Sequence, residues 1–174
     1  LTGSANLNLT DSQISGDGTI AVGTNAILNA NGTNSFGGTV SNQGLTAIVA
    51  SGDFGAADLT LGTLDNQGTV ELTTQGASTA TPATLTVSDA PITNGGTIRS
   101  SVGDAGGTRT INAGIELNSG LLRLSGSDLT VNLQPGASEL LIASSSDVDL
   151  VDGTETLTVD GSAVTGGGQL TFES

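Results

Sequence analysis

The chain has 174 residues, with 17 Asp and Glu against three Arg, no Lys, His, Cys, Met, Trp or Tyr, and a formal net charge of −14. No basic footprint exists for nucleic acid, an anionic membrane surface would repel the chain, and no run of about 20 apolar residues could insert into a bilayer. Without His, Cys or Lys the usual general bases, nucleophile–base pairs and most metal-ligating side chains are missing. From the N-terminus, Leu7-Asn-Leu9 alternates like the middle strand of a coil, and Ile14-Ser-Gly-Asp-Gly-Thr-Ile20 is the first of a series of turns.

The turn in its fullest form is apolar-x-Asn-x-Gly-Thr-apolar, as at Leu64-Asp-Asn-Gln-Gly-Thr-Val70 and Ile92-Thr-Asn-Gly-Gly-Thr-Ile98. Looser copies contain Asn42-Gln-Gly44 and Asn118-Ser-Gly120, a degraded copy runs from Ile142 to Val148, and Gly replaces Asn in the copies at 14–20 and 164–170. The last residue of each triplet falls at 18, 44, 68, 96, 120, 146 and 168, in steps of 22 to 28 residues. A fixed period of this size marks a repeat architecture whose units bury their apolar faces only by stacking.

The segments between turns read as strands. After Gly68, residues 69–73 and 83–87 alternate apolar and polar, the period-2 signal, and Pro91-Ile92 leads into the next turn. The coil after Gly120 gives 122–124, 129–131 and 140–142; the coil after Ser146 gives 148–150, 157–159 and 163–164; and 170–172 opens one more. The pattern predicts an all-β, right-handed parallel β-helix of about six to seven coils, with three short strands per coil of about 25 residues. Handedness follows the rule for parallel connections. Residues 1–174 read as a single solenoid segment. Because neither end carries a capping helix, the segment reads as part of a longer repeat protein.

Aligned on the turns, two inward columns emerge: Ile20, Thr46, Val70, Ile98, Leu122, Val148 and Leu170, and Val22, Ile48, Leu72, Ser100, Leu124, Leu150 and Phe172. A third, four places before the turn residue, reads Ile14, Val40, Leu64, Ile92, Glu116, Ile142 and Val164. Glu116 breaks it, so Ile115 or Leu117 is expected in the core through a bulge. Asn42, Asn66, Asn94 and Asn118 form a turn column that predicts an amide ladder along the axis. Between the first two columns, Glu71, Arg99, Arg123 and Asp149 form an outward charge ladder, with Glu71 over Arg99 and Arg123 over Asp149. All three Arg fall between 99 and 123, the one local concentration of basic charge.

These repeats resemble secreted bacterial β-helix exoproteins, in particular the repeat regions of filamentous-haemagglutinin-like two-partner-secretion adhesins and autotransporter passengers. The likeness rests on the turn-plus-strand stretches 64–72, 92–98 and, more weakly, 40–48. It implies an extracellular or cell-surface location and a role as a rigid stalk and adhesive surface. The partner would be a host receptor, a glycan or another cell-surface protein. The Gly- and Thr-rich coils are similar also to phage tail spikes, which keeps a carbohydrate-binding or carbohydrate-active β-helix as the alternative.

Few residues offer chemistry, so no enzymatic activity and no cofactor are expected. Asp147, Asp149 and Asp152 are the densest carboxylate group and the candidates for weak Ca²⁺ binding; their plain reading is solvated surface charge. The middle strands bring Asp58-Leu-Thr60, Thr84-Leu-Thr86, Asp128-Leu-Thr130 and Thr156-Leu-Thr158 outward, the kind of Thr array an ice-binding solenoid would need, although Thr is also simply a good strand residue. The connections between first and second strands vary most: 50–57, 74–83 and 101–108 are long, whereas 125–128 is short. Extra residues in a stacked coil can only bulge outward, so these three loops are expected along one edge, as the most exposed interaction surface.

Overall fold

The computed structural model describes residues 1–76, 79–104, 106–133, 139–151, 156–160 and 163–172. Among them are twenty strands and no helix. The first coil holds β1 (Asn6–Thr10), β2 (Gln13–Ile14) and β3 (Thr19–Val22); the second β4 (Ile27–Asn31) and β5 (Thr33–Asn42); the third β6 (Leu45–Ser51) and β7 (Ala57–Asn66). The fourth holds β8 (Thr69–Gln75), β9 (Ala83–Val87) and β10 (Ile92–Asn94), and the fifth β11 (Thr97–Ser101), β12 (Arg109–Asn112) and β13 (Ile115–Leu117). The sixth holds β14 (Leu121–Ser125), β15 (Leu129–Asn132) and β16 (Glu139–Ile142); the seventh β17 (Asp147–Val151), β18 (Leu157–Asp160) and β19 (Ala163–Gly166), before β20 (Gln169–Phe172).

Every ladder between named strands is parallel, and each strand pairs with its equivalent one coil away. The chain is therefore a parallel β-solenoid with three faces. The first is the eight-stranded sheet β1-β4-β6-β8-β11-β14-β17-β20. The second carries β2, the first part of β5 and of β7, then β9, β12, β15 and β18; the third carries β3, the rest of β5 and β7, then β10, β13, β16 and β19. Seven steps along the first face, at about 4.8 Å each, make a rod about 34 Å long.

The inward columns hold the core. Val70, Leu72, Ile98, Leu122 and Leu124 are fully buried and Leu150 nearly so. The two polar intruders, Thr46 and Ser100, are buried as their register demands. Ser100 Oγ donates to the carbonyls of Ser127 and Asp128, both at 3.2 Å, whereas Thr46 Oγ1 has no partner. The side chains of Leu170 and Phe172 lie outside the described set.

Three sequence assignments change. Gly18 precedes a third-face strand, since Ile20 pairs with Val40 and Val22 with Asn42; Ile14 pairs with Phe36 on the second face. The next first-face strand is β4, in the second coil, and β1, with Leu7 and Leu9, is the first-face strand of the first coil and not a middle one. Both kinds of corner use a small residue followed by an alternating strand, so the motif does not distinguish them. Near Glu116 the core position goes to Ile115, which pairs with Ile92, and Leu117 takes the register of Asn94, but not through a bulge: the ladder is continuous and the turn 118–120 holds one residue more than 95–96. Ser119 accommodates the extra residue at φ 64. The next turn, 143–146, is longer again, which puts Leu140 rather than Ile142 on the Ile115 column.

Candidate interaction surfaces

The third-face corner carries the amide ladder. Asn42 Nδ2 donates to Asn66 Oδ1 at 2.7 Å, and Asn66 Nδ2 donates to Asn94 Oδ1 at 2.5 Å. Each amide also bonds turn carbonyls: Asn66 reaches Gly68 and Thr97, and Asn94 reaches Gly96 and Leu121. All three are completely buried. Asn118 does not join them. It is exposed, and the column position above Asn94 belongs to Leu117. The cause is turn length: an amide can bond the carbonyl two residues on only in a two-residue turn, and residues 118–120 are three. At the other end the ladder meets Val22, and Asn42 Oδ1 has no protein partner.

The outward ladder on the first face has the predicted register, Glu71–Arg99–Arg123–Asp149. Arg99 Nη2 lies 2.8 Å from Glu71 Oε2, and Ser101 Oγ donates to Glu71 Oε1 at 2.6 Å. Among the described residues this is the one ion pair; Arg123 and Asp149 are neighbours in register without forming another. Asp147 and Asp149 both project outward from β17, and Asp152 lies outside the described residues. No three Asp, Glu, His or Cys come together among the described residues in a way that could hold a metal.

Arg109 corrects the expectation of a basic patch. It stands in an inward column of the second face, between Ala83 and Leu129, and is completely buried. Ala57 and Ala83 precede it in the column, and their small side chains leave room for it. Among the described residues it forms no ion pair. Instead its guanidinium donates to the carbonyls of Thr81, Ser101, Val102 and Thr108 at 3.2 to 3.4 Å, and to Thr74 Oγ1 at 3.4 Å. Desolvation lowers its pKa from the ordinary arginine value. Its acceptors belong to the ends of the first-face strands and the loops that follow, so the buried cation fastens those loops from within. A lone Arg in an alternating strand looks outward in sequence; the two preceding Ala of its column are visible only once register is known.

Above Arg109 the three long loops do emerge along one edge, between first and second faces, and they are bonded into a stack. Asp104 N–H donates to Thr74 O at 3.2 Å, Gly76 N–H to Asp104 Oδ2 at 2.6 Å, Thr81 N–H to Gly106 O at 3.2 Å and Ala57 N–H to Pro82 O at 3.0 Å. In the first loop, Ser51 and Gly55 exchange two backbone bonds and Phe54 N–H donates to Ser51 Oγ. Phe54 is 50% exposed and Val102 41%, two of the three large apolar side chains that the described residues leave in solvent. Asp53 and Asp104 lie beside them.

The Thr array of the second face is longer than the sequence showed. Register aligns Thr33, Asp58, Thr84, Thr110, Thr130 and Thr158, and beside them Ser35, Thr60, Thr86, Asn112, Asn132 and Asp160. Asn132 Nδ2 donates to Asn112 Oδ1 and Asn112 Nδ2 to Thr86 Oγ1, a second, outward amide ladder.

The corner between second and third faces holds a cleft of about 300 Å³, lined among others by Gln13, Ser15, Asp17, Ser35, Phe36 and Thr60. It arises from unequal corners. Register leaves four residues, 15–18, at this corner in the first coil, two glycines, 37–38, in the second, Gly62 alone in the third, and 88–90 in the fourth. The two tight glycine corners form the floor of a saddle between two longer ones. Gly62 is required here: a Cβ would run into the Gly37 carbonyl oxygen.

The architecture defines a β-solenoid, a class set by stacking rather than by any site. No protein-family model matches the chain, and neither a curated protein nor a solved structure matches it.

Proposed function

We propose that the chain is a rigid, adhesive segment of an extracellular bacterial surface protein, holding a partner through its loop edge. The carrying observation is the loop stack: three long first-to-second connections leave consecutive coils on one edge, their described residues bonded to one another, and the second and third are tied from beneath by Arg109. Preordered loops lose little conformational entropy on binding, which suits a contact surface better than free insertions would. The exposed Phe54 and Val102, with Asp53 and Asp104 beside them and a net charge of −14 around them, favour a partner with an apolar centre and a basic rim. The acidic, Lys-free and Cys-free composition suits work outside the cell.

The test is adhesion to candidate host cells and to neighbouring bacterial cells, measured for the intact chain and for a variant with loops 52–56, 76–82 and 102–108 cut to the length of 126–128. The trimmed rod should fold, with strand circular dichroism unchanged, and lose adhesion. Unchanged adhesion by the trimmed rod would remove the loops from the function, and no adhesion by the intact chain would remove the adhesive role.

A further inference from the structure

Among the described residues, only two that are completely buried carry a polar side-chain atom without a hydrogen-bond partner, and they flank one corner: Asn42 Oδ1 and Thr46 Oγ1. Both belong to inward columns. Asn42 stands between Val22 and Asn66, and Thr46 between Leu28 and Val70. The Asn42 amide is fixed in one sense, because Nδ2 donates to Asn66 Oδ1 at 2.7 Å and to the Thr69 carbonyl at 2.9 Å. A flipped amide would set its oxygen against those two oxygens, so Oδ1 is the open end. The same bonds place it. Thr69 is the register partner of Leu45, and Val70 that of Thr46, so the amide reaches the start of the first face, beside Thr46.

The coil beneath does not answer either atom. Register sets the two-residue corner 43–44 over the four residues 23–26. Of those four only Ala26 is buried, and its methyl and the side chain of Val22 bring neither donor nor acceptor. The other polar intruder in the first-face core, Ser100, finds two carbonyls at 3.2 Å; Thr46 finds none. A buried acceptor and a buried hydroxyl left dry each cost free energy, and native interiors answer such groups with protein or with ordered water. Two polar groups too far apart for a direct bond are where a bridging water belongs, and two such groups are the fewest that hold one. The groups also select water over an ion. Val22, Ala26, Asn42, Thr46 and Asn66 carry no charge, and Asn42 Oδ1 needs a donor, which a metal cation is not.

We propose that one internal water molecule is bound at this corner, donating to Asn42 Oδ1 and sharing a hydrogen bond with Thr46 Oγ1. The amide ladder then ends on a water. Thr46 holds that water, which accounts for a hydroxyl in a column whose other described members, from Leu7 to Val148, are Leu, Val and Ile. This inference does not rest on the loop edge or on adhesion.

The experiment is a crystal structure of the whole chain at a resolution that orders waters, repeated for Thr46→Ser and Thr46→Val, with thermal melts of each. A density peak about 2.5–3.2 Å from both atoms is expected in the parent and in Thr46→Ser, and none in Thr46→Val. Thr46→Val should lower the melting temperature by about 2–4 °C, because Asn42 Oδ1 loses the donor that the hydroxyl held in place. A dry site demands the opposite sign, since Val would replace an unsatisfied hydroxyl with a methyl group. Thr130→Val, on the exposed array, sets the baseline for the strand preference of Val. If Thr46→Val does not fold, the peak in the parent and in Thr46→Ser decides. The proposal is overturned by a parent structure without the peak, or by Thr46 Oγ1 turned onto a backbone carbonyl. It is overturned equally by a peak ringed with oxygens at cation distances, or by a Thr46→Val melting temperature at or above the parent's after the Thr130→Val baseline is subtracted.

Discussion

Asn66 and Arg109 are the buried polar side chains whose removal should be felt most. Asn66 is the middle of the amide ladder, accepting from Asn42 and donating to Asn94. Asn66→Ala orphans Asn94 Oδ1 in a dry interior and should lower stability by about 2–4 kcal/mol. Asn42→Ala, at the ladder's open end where Oδ1 is already unpartnered, should cost less; a denaturant titration that ranks the two the other way would contradict the ladder's direction. Arg109→Ala removes a charged donor from the carbonyls of Thr81, Ser101 and Val102, of which Val102 keeps Thr74 Oγ1, a loss of about 2–4 kcal/mol. Its distinguishing sign is local: amide exchange at Gly76, Thr81 and Asp104 should accelerate, while that of the third-face strands changes only with global stability. Neither residue's burial depends on anything rare in the sequence. The Asn could be read because turns favour Asn at a recurring position, whereas Arg109 could not, because alternation alone is blind to which of two neighbouring columns has alanines below it.

In the strands, inward and outward positions should respond oppositely to the same charge. Leu124→Asp puts an unpaired carboxylate among fully buried neighbours and should unfold the coils around it, whereas Thr130→Asp, on the outward array where Asp58 and Asp160 already stand, should shift the melting temperature little. Equal melting temperatures would refute the assignment. This alternation was legible in β8 and β11, which follow two-residue turns, and in β14, which follows a turn of three. It misled where spacing was elastic. The first coil was displaced onto the wrong face because Gly18 and Gly44 precede equally good strands, and Asn118 was placed on the ladder because Asn-x-Gly reads the same whether or not one more residue precedes the strand. The cleft was illegible for a related reason. Glycines 37, 38 and 62 are ordinary in a Gly-rich chain, and only register shows that they stack between two longer corners.

The whole rod is a one-dimensional stack of like-charged coils, and two consequences follow. Charge repulsion among 17 acidic residues against three Arg should make the protein more stable in salt, so raising NaCl from low ionic strength should raise the melting temperature until screening saturates; a falling midpoint would mean that the Arg99–Glu71 pair outweighs the repulsion. Each coil touches mainly its neighbours, so stability is a sum of coil and interface contributions, and those interfaces are not alike. From the second to the fourth coil the axis carries the strand ladders together with an unbroken row of buried amides, and from Leu117 in the fifth coil onward it carries the ladders alone. Under tension along the axis the two halves therefore differ as springs. A rod pulled at its tips would peel in the half without the amide row at lower force and keep the second to fourth coils intact, so that the load is shed one coil at a time from a defined direction.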